Sequence, residues 1–593
     1  MTTTTGLREQ LERWREAGEL SPLDLRFGLF VARESGSEAL GLLAAVTSRQ
    51  QRLGHVCLDP RLAADALPGA DLETAWREIE VLESPWLGRS EGEWCPLVLE
   101  RGRLYLGRLH HAECGVARRV RAWSTAPAGA PPDPARVRRL FPEGGRGNDG
   151  QRLAAVLAAV RPFTVVTGGP GTGKTTTVVK VLAMRLAARP DLAIRLLAPT
   201  GKAAARLSES IRASRQRLDL EPELVARIPE RVTTVHRFLG LGRGHPRHDR
   251  YHPAPVDLVV LDEASMIDLP TMHRLLEALP ERASLILLGD PDQLASVQAG
   301  SVLADLVAPA RAGVFTPATR RLLQAAGVEA PPSPTAARPV DDTLARLHHS
   351  HRFSAERGIG RLAAAVQAGE GDWETLKEIA AGHDEVECLE WQGDRLPPAA
   401  LDGLLEDLDP ARHPAVDQAL DGLGRARCLC ALRSGPSGVE GLNALIAGRL
   451  GRPLLPAGHG LPVLVTRNAH ALGVFNGDMG VLWQERDGRG VGRLRACFRD
   501  PEGEILRLPP AELPGHETAY ALTVHKSQGS EYDRVLLVLP PEPHPLVTRE
   551  LIYTALTRAR HRVRVVASRA SWEAGVAVRT RRASGLAERL LDP

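Results

Sequence analysis

Lysine is scarce in this chain. Only five of its 75 basic side chains are lysines, and the others are arginines. A general preference for arginine accounts for most of this imbalance. A lysine that persists against such a preference indicates a position that needs a compact ammonium group, because a planar guanidinium fits a site differently. Three of the five lysines, Lys174, Lys202 and Lys526, lie inside short motifs rich in glycine, threonine or serine.

Cysteines are few and scattered, and long apolar runs are missing. The seven cysteines lack the four-ligand spacing of a zinc or iron–sulfur site, which predicts free buried thiols in a reducing compartment. The first ten residues contain no apolar segment typical of a secretion signal, and no stretch reaches about 18 uninterrupted apolar residues. We therefore expect a cytoplasmic protein without a membrane partner.

Aromatic residues and net charge are also low, at 4% and +3. Any contact with nucleic acid must therefore come from local basic or polar surface, because no global positive field is expected. Hydrophobic residues at 43% and charged residues at 25% are typical of a globular protein with well-formed cores. This composition excludes wholesale disorder, a collagen-like fibre and a small disulfide scaffold.

Two segments rich in proline, glycine and alanine, at 124–147 and 329–339, divide the chain. They predict domains at about 1–125, 126–345 and 346–593. In the second and third of these, short apolar runs alternate with amphipathic segments, which is typical of parallel sheets flanked by helices. The predicted strands are 163–167, 194–198, 256–261 and 285–289, followed by 427–431, 463–466, 535–539 and 563–567.

The first strand of the middle domain runs into a loop of the form G-x-x-x-x-G-K-[ST]. Its residues, together with the next one, are Gly168, Gly169, Pro170, Gly171, Thr172, Gly173, Lys174, Thr175 and Thr176. Glycines let backbone N–H groups turn inward around phosphate oxygens, and the following helix presents its positive end to the same anion. Lys174 is predicted to reach the β- and γ-phosphates of ATP, and Thr175 to bind Mg²⁺.

Two further strand ends carry polar groups that hydrolysis of ATP requires. Asp262 and Glu263 follow the strand at 256–261, and Gln293 lies just after 285–289. Asp262 is predicted to hold Mg²⁺ directly or through water. Glu263 is predicted to orient and deprotonate the attacking water. Gln293 is placed to hydrogen-bond the γ-phosphate or the same water.

The order of motifs over about 150–570 resembles that of superfamily 1 helicases. The matching segments are 198–204 (Ala-Pro-Thr-Gly-Lys-Ala-Ala), 233–236 (Thr-Thr-Val-His), 261–265 (Leu-Asp-Glu-Ala-Ser), 289–293 (Gly-Asp-Pro-Asp-Gln), 350–353 (Ser-His-Arg-Phe), 523–531 (Thr-Val-His-Lys-Ser-Gln-Gly-Ser-Glu) and 553–559 (Tyr-Thr-Ala-Leu-Thr-Arg-Ala). The segment 523–529 is similar to the 5′→3′ branch of that superfamily. Segments 22–29, 54–58 and 104–108 resemble the N-terminal domain of the RecD family, the alpha subunits of exodeoxyribonuclease V (RecBCD).

The resemblance implies a specific α/β architecture. Residues 126–345 would be RecA-like motor domain 1, with the P-loop, and 346–593 would be RecA-like motor domain 2, each with a parallel sheet flanked by helices. A small SH3-like β insertion is expected in the second at about 478–516. Residues 1–125 would form a smaller N-terminal domain that docks on a partner subunit.

The resemblance also assigns residues beyond the P-loop. Arg352 and Arg558 are the arginine-finger candidates, because a guanidinium can bridge two phosphoryl oxygens in the transition state. Gln151 matches the adenine-reading glutamine of these helicases, and Gly529 and Glu531 fall in the loop that couples nucleotide state to the grip on DNA. Contacts with single-stranded DNA are implied for Thr200, Lys202, Thr234, His236, Thr523 and His525.

The leading hypothesis is an ATP- and Mg²⁺-dependent 5′→3′ DNA helicase subunit of a RecBCD-type helicase–nuclease. It would act on single-stranded and duplex-end DNA in double-strand-break repair, recombination and degradation of linear DNA, within a heterotrimer containing RecB-like and RecC-like subunits. A nuclease site is not apparent in the sequence, so cutting would belong to a partner chain. Two alternatives stay open: a stand-alone RecD-like 5′→3′ helicase, and a nucleotide-gated scaffold that does not move on DNA.

Replacing the P-loop lysine tests the site assignment. Lys174→Gln is expected to lower ATP turnover by about a hundredfold or more, because a cationic donor to the phosphates is lost. The fold and partner binding should stay largely intact, as judged by circular dichroism and co-purification. DNA-stimulated turnover that equals that of the unaltered chain would refute the assignment.

Overall fold

The computed structural model describes residues 4–592, except for 64–66, 68–70, 143–147, 242–244, 333–335, 353–356, 393–394, 453, 455–457, 470, 487–491, 501–502 and 514. Within these residues the chain forms four β-sheets, of which two are entirely parallel. The predicted α/β class with two parallel sheets is confirmed.

The first part of the chain forms a small sheet covered by helices. Its strands occur in the order β1-β4-β3-β2, with β2 and β3 parallel and the other pairs antiparallel. They are β1 (Cys57–Leu58), β2 (Leu87–Gly88), β3 (Leu97–Glu100) and β4 (Arg103–Leu106). The helices are Thr4–Glu16, Pro22–Ser35, Glu38–Arg52, Pro60–Ala63, Leu72–Val81 and Gly107–Thr125.

The second sheet is parallel and carries the P-loop. Its strand order is β10-β5-β9-β8-β6-β7, and β5, β8 and β9 are buried along their whole length. The strands are β5 (Phe163–Gly168), β6 (Ile194–Ala198), β7 (Val232–Thr234), β8 (Leu258–Leu261), β9 (Ser284–Gly289) and β10 (Leu344–Leu347). The helices around it are Pro134–Leu140, Asn148–Val160, Lys174–Ala188, Gly201–Gln216, Pro222–Arg227, Val235–Leu239, Leu269–Glu277, Val302–Val307 and Pro317–Ala325.

The remaining two sheets interleave along the chain. The parallel one has the order β11-β20-β19-β12-β18, and the antiparallel one the order β16-β15-β14-β13-β17. Their strands are β11 (Val386–Glu390), β12 (Ala426–Cys430), β13 (Leu461–Val465), β14 (Met479–Arg486), β15 (Gly492–Arg499), β16 (Ile505–Leu508), β17 (His516–Thr518), β18 (Ala521–Thr523), β19 (Tyr532–Val538) and β20 (Ala559–Ala567). The helices are Gly358–Ala368, Trp373–Gly382, Leu405–Leu408, Val416–Gly422, Val439–Arg449, Arg549–Leu556, Arg569–Ala577 and Leu586–Arg589.

One predicted strand belongs to a different sheet. The apolar run at 463–466 was predicted to be a strand of the second parallel sheet, but β13 pairs antiparallel with β14 and β17. The prediction is wrong. Every residue of β13 is buried, and a run buried along its whole length is typical of a parallel strand, so the apolar pattern did not distinguish the two sheets. The antiparallel sheet therefore extends from β13 to β17 and includes the region predicted as a small β insertion.

The last residues of the chain return to the N-terminal sheet. The carboxylate of Glu113, fully buried, accepts hydrogen bonds from the Arg589 guanidinium (2.9 Å), the Gly585 N–H (2.9 Å) and the Tyr105 hydroxyl (3.1 Å). The side chain of Leu586 is buried in the hydrophobic core that also contains Leu104 and Tyr105 of β4. The proposed limits of the three domains stay a prediction, and the C-terminal segment joins the last of them to the first.

The composition predicted free buried thiols and no membrane-spanning segment. All seven cysteines are free thiols, and five of them are buried. In the part of the chain that the structure describes, none of the helices is long and apolar enough to span a bilayer. The cytoplasmic location remains a prediction.

The buried Arg589–Glu113 pair predicts a large effect of one substitution. Arg589→Ala is expected to lower the free energy of unfolding by about 3–5 kcal/mol, because it leaves a buried carboxylate without its cation. Urea unfolding followed by circular dichroism measures the change. Arg569→Ala is the control, since Arg569 is exposed and pairs at the surface with Glu573 and Glu374; it should cost less than about 1 kcal/mol.

Candidate functional site

The glycine-rich loop lies between β5 and the helix Lys174–Ala188. Gly171 and Gly173 have φ angles of +77° and +81°, a conformation that glycine adopts without strain. A Cβ atom on Gly173 would lie 2.4 Å from the Gln151 amide nitrogen. The ammonium group of Lys174 donates to the carbonyls of Gly168 (2.6 Å) and Gly169 (3.1 Å). The lysine predicted to meet phosphate thus already lies across the loop.

Two predicted nucleotide-site residues contact this loop directly. The Gln151 side chain donates to the carbonyl of Thr172 at 3.1 Å. The backbone of His351 donates to the carbonyl of Gly171 at 2.9 Å, and a Cβ atom on Gly171 would lie 2.4 Å from the Cβ of Arg352. The arginine-finger candidate at 352 is therefore in contact with the P-loop. The residue after it, Phe353, lies outside the described residues.

The acidic pair lies at the end of β8. Asp262 accepts a hydrogen bond from the Glu263 N–H at 2.9 Å, and Glu263 has a φ of +51°. Left-handed backbone is unusual for a residue with a side chain and is concentrated at functional sites. Burial and the neighbouring Glu263 carboxylate raise the pKa of Asp262 to about 6. The hard oxygens of Asp262 and Thr175 fit the ligand preference of Mg²⁺.

Gln293 connects the first parallel sheet to elements of the second. Its amide nitrogen donates to Asp290 (3.2 Å), and its amide oxygen accepts from the Arg558 guanidinium (3.0 Å). Asp290 also accepts from the hydroxyl of Tyr553 at 3.0 Å, and burial raises the pKa of this carboxyl group. Asp290 and Tyr553 stand inside the quoted motifs but received no role, because their partnership joins residues that are 263 positions apart.

Arg558 is buried at 2% exposure. Besides Gln293, its guanidinium donates to the carbonyls of Ser530 (3.1 Å) and Thr554 (3.2 Å). These bonds fix the side chain in a low-dielectric environment, facing the loop that follows β9. Both arginine-finger candidates therefore lie at the junction between the two parallel sheets.

The carboxylate of Glu531 gathers cations from both sides of this junction. Arg352 pairs with it at 2.5 Å, Arg206 pairs with it more closely still, and Arg560 lies at 3.3 Å. Burial acts to raise the pKa of Glu531, but Arg206 and Arg352 outweigh it and lower the pKa to about 2. Sequence reasoning missed Arg206, although it lies one helical turn after Lys202.

The threonines predicted to contact DNA share one local structure. Each follows a strand of a parallel sheet and caps the next helix, its hydroxyl accepting a backbone N–H at 3.2–3.4 Å. They are Thr200 after β6, Thr234 at the end of β7 and Thr523 at the end of β18. Each hydroxyl thus lies beside a helix N-terminus, where phosphates bind readily, and its own O–H is a further donor that a phosphate could accept.

The other predicted DNA residues differ in exposure. His236 is exposed, whereas His525 is partly buried, and burial lowers its pKa. The Lys202 ammonium lies 3.7 Å from the Met479 sulfur and 5.9 Å from the Tyr532 ring centroid, and burial lowers its pKa. The DNA role of Lys202 stays a prediction, and the contact that the structure shows for it is with the opposite half of the chain.

Comparison with known proteins agrees with this architecture. Three family descriptions match the chain: an AAA domain at 151–299, a UvrD-like helicase C-terminal domain at 518–566, and the N-terminal domain of RecBCD enzyme subunit RecD at 16–105. The RecBCD enzyme subunit RecD of Mycobacterium tuberculosis (strain CDC 1551 / Oshkosh) is 40% identical over 97% of this chain and 96% of its own length. The chain belongs to the RecD family.

Two further relatives of this RecD-family chain extend the comparison. The RecD subunit of Mycolicibacterium smegmatis is 38% identical over 98% of this chain and 99% of its own length. The ATP-dependent RecD2 DNA helicase of Deinococcus radiodurans is 33% identical over 82% of this chain but 59% of its own length. The predicted family is confirmed, and the chain is a helicase whose P-loop binds nucleotide.

The Tyr553–Asp290 hydrogen bond predicts a measurable coupling across the junction. Tyr553→Phe is expected to lower the free energy of unfolding by about 1–3 kcal/mol, because the buried Asp290 loses a donor while the ring still fills its space. Urea unfolding measures it. Tyr251→Phe, at a tyrosine that is 71% exposed, should change it by no more than about 0.5 kcal/mol. Equal values for the two variants would contradict this role of Tyr553.

Proposed function

We propose that this RecD-family chain is the ATP-driven 5′→3′ DNA helicase and translocase subunit of a RecBCD-type helicase–nuclease, working in the cytoplasm. The observation that carries the proposal is the convergence at the P-loop of groups from distant parts of the chain. The Cβ of Arg352 packs against Gly171, its guanidinium pairs with Glu531, and the Arg558 guanidinium donates to Gln293 from across the junction. A γ-phosphate in this loop would therefore be reached from both parallel sheets.

The chemistry begins with the P-loop amides and Lys174. A bound triphosphate supplies stronger acceptors than the carbonyls of Gly168 and Gly169, so Lys174 exchanges those partners for β- and γ-phosphate oxygens. Thr175 and Asp262 would hold Mg²⁺, which neutralises developing charge on the phosphates when bound. Glu263 accepts a proton from the attacking water, and the amide of Gln293 orients that water or the γ-phosphate.

The arginines at the junction would change partners when nucleotide binds. Glu531 holds Arg352 and Arg206 in the structure described. In our proposal the γ-phosphate replaces Glu531 as the partner of Arg352, which releases one of the ion pairs that join the first parallel sheet to the loop before β19. Loss of the γ-phosphate on hydrolysis returns Arg352 to the carboxylate. The loop containing Gly529 and Glu531 starts a few residues after Thr523, so each exchange is transmitted to the predicted DNA contacts.

DNA contacts in this scheme are independent of sequence. Hydroxyls and helix N-termini at Thr200, Thr234 and Thr523, with His236 and His525 beside them, bind backbone phosphates of a single strand. Alternate closing and opening of the junction then moves the strand past the enzyme. Gln151, against the P-loop, is assigned to adenine recognition.

The partners in this proposal are RecB-like and RecC-like subunits in a heterotrimer. The support is that RecBCD subunits align over nearly the whole of this chain and of themselves. The RecD2 helicase shares less of its length, which makes a stand-alone helicase the second candidate. The nuclease centre would lie in a partner chain, and repair, recombination and degradation of linear DNA are the processes served.

The arginine-finger assignment predicts a selective loss. Arg352→Ala is expected to lower kcat for ATP by about a thousandfold or more, with a small change in nucleotide affinity, because the guanidinium acts mainly in the transition state. Stopped-flow phosphate release and nucleotide binding measure the two quantities. The control is Arg357→Ala, since Arg357 is 69% exposed and pairs with Glu385 at 3.5 Å. It should leave both quantities unchanged.

A strand-displacement assay on duplexes with 5′ or 3′ single-stranded tails tests the motor function. With RecB-like and RecC-like partners present, we expect ATP-dependent unwinding that needs a 5′ tail and is lost in Lys174→Gln. Equal unwinding by the isolated chain would favour the stand-alone helicase. ATP turnover that single-stranded DNA does not change, with no unwinding, would overturn the proposal in favour of a scaffold.

A further inference from the structure

Two helices from different parts of the fold bring together three side chains that metals favour. His111 lies on the helix Gly107–Thr125, and His273 and Glu277 lie one turn apart on Leu269–Glu277. One ring nitrogen from each histidine and one carboxylate oxygen all fall within 4.8 Å of one another. We propose that His111, His273 and Glu277 form a binding site for Zn²⁺ or a similar divalent transition metal.

The spacing suits tetrahedral coordination. Histidine nitrogens and carboxylate oxygens bind Zn²⁺ at about 2.0–2.2 Å, which places neighbouring ligand atoms about 3.3–3.6 Å apart. The His273 Nε2 and Glu277 Oε2 atoms are 3.6 Å apart. Small rotations of partly buried side chains bring the His111 nitrogen to the same distance. Two imidazoles select a transition metal over Mg²⁺ or Ca²⁺, which prefer oxygen ligands, and a fourth position is left for water.

The helix packing leaves room for the ring of His273. A Cβ atom on Gly115 would lie 2.4 Å from Cε1 and 2.6 Å from Nδ1 of that ring. The His111 ring contacts the His273 ring edge to face, with 5.1 Å between the ring centroids. The Trp94 ring also packs against the His111 ring, with 4.7 Å between their centroids. Gly115 and Trp94 therefore position both imidazoles.

The charges around the cluster also allow a cation to bind. The Glu277 carboxylate lies 3.6 Å from the His273 ring nitrogen, while the nearby Arg118 is already paired with Glu91. A second histidine cluster shows the contrast. There, Glu100 is close to His110 and Cys114, but the guanidinium of Arg589 pairs with its carboxylate. A fixed cation occupies the carboxylate of that second cluster, so we assign no metal to it.

The site would connect the N-terminal domain to the ATPase core. The helix that carries His273 begins at Leu269, six residues after Glu263. A metal bridging this helix to His111 would fix the segment after the acidic pair against the helix that follows the N-terminal sheet. The expected effect is a more rigid interface, and this inference is independent of the motor function proposed above.

The test uses the full-length chain after removal of metals by a chelator. Isothermal titration with Zn²⁺ is expected to show one equivalent bound, and Co²⁺ should give the visible absorption of a tetrahedral ion. His111→Ala and His273→Ala should each weaken binding by at least about tenfold. His252→Ala is the matched control, because His252 lies near an acidic partner, Asp249, at the surface. Cys114→Ser, in the second cluster, should also leave binding unchanged.

Two further variants keep the test decisive if a ligand substitution disturbs the fold. Gly115→Ala removes no ligand but displaces the His273 ring, so it should weaken binding while circular dichroism stays unchanged. Quenching of tryptophan fluorescence by Cu²⁺ should be reduced in Trp94→Phe. The proposal is overturned if no stoichiometric metal binds, or if His111→Ala and Gly115→Ala bind Zn²⁺ as tightly as His252→Ala.

Discussion

The interaction on which the junction depends is the pairing of Glu531, a buried carboxylate just before β19 of the second parallel sheet, with two arginines that follow strands of the first. Arg206 comes from the helix after β6, and Arg352 from the segment after β10. Without an anion these partly buried guanidinium groups would repel one another. In the proposed mechanism a γ-phosphate would compete with the Glu531 carboxylate for these cations. In the proposed mechanism this competition would link nucleotide state to the ion pairs that join the two sheets.

Most residues of the candidate nucleotide site could be predicted from short sequence motifs. The glycine loop, Asp262 and Gln293 all lie within a few residues of strands whose apolar runs are unmistakable, and parallel strands bring their ends to one edge. Arg206 and Tyr553 were missed because their partners are hundreds of positions away and a single arginine or tyrosine carries no pattern. The roles assigned to individual site residues still rest on motif and geometry together.

The fold was predictable to the same extent and for the same reason. The two parallel sheets follow from alternating strand and helix patterns, whereas β7 has only three residues and the apolar run of β10 is interrupted by the exposed Arg346. The pairing of β13 depended on β14 and β17, which the burial pattern of β13 does not reveal. The return of Leu586 and Arg589 to the N-terminal sheet is a contact between opposite ends of the chain, which no local pattern encodes.

That return has a consequence for biosynthesis. During translation Glu113 leaves the ribosome long before Arg589 does. In the nascent chain the Glu113 carboxylate therefore has no guanidinium partner, and the core of the N-terminal sheet lacks Leu586. The domain that contains Glu113 is thus completed only after residues 586–589 have been synthesised. A chain cut short by premature termination would therefore be defective at its beginning as well as at its end.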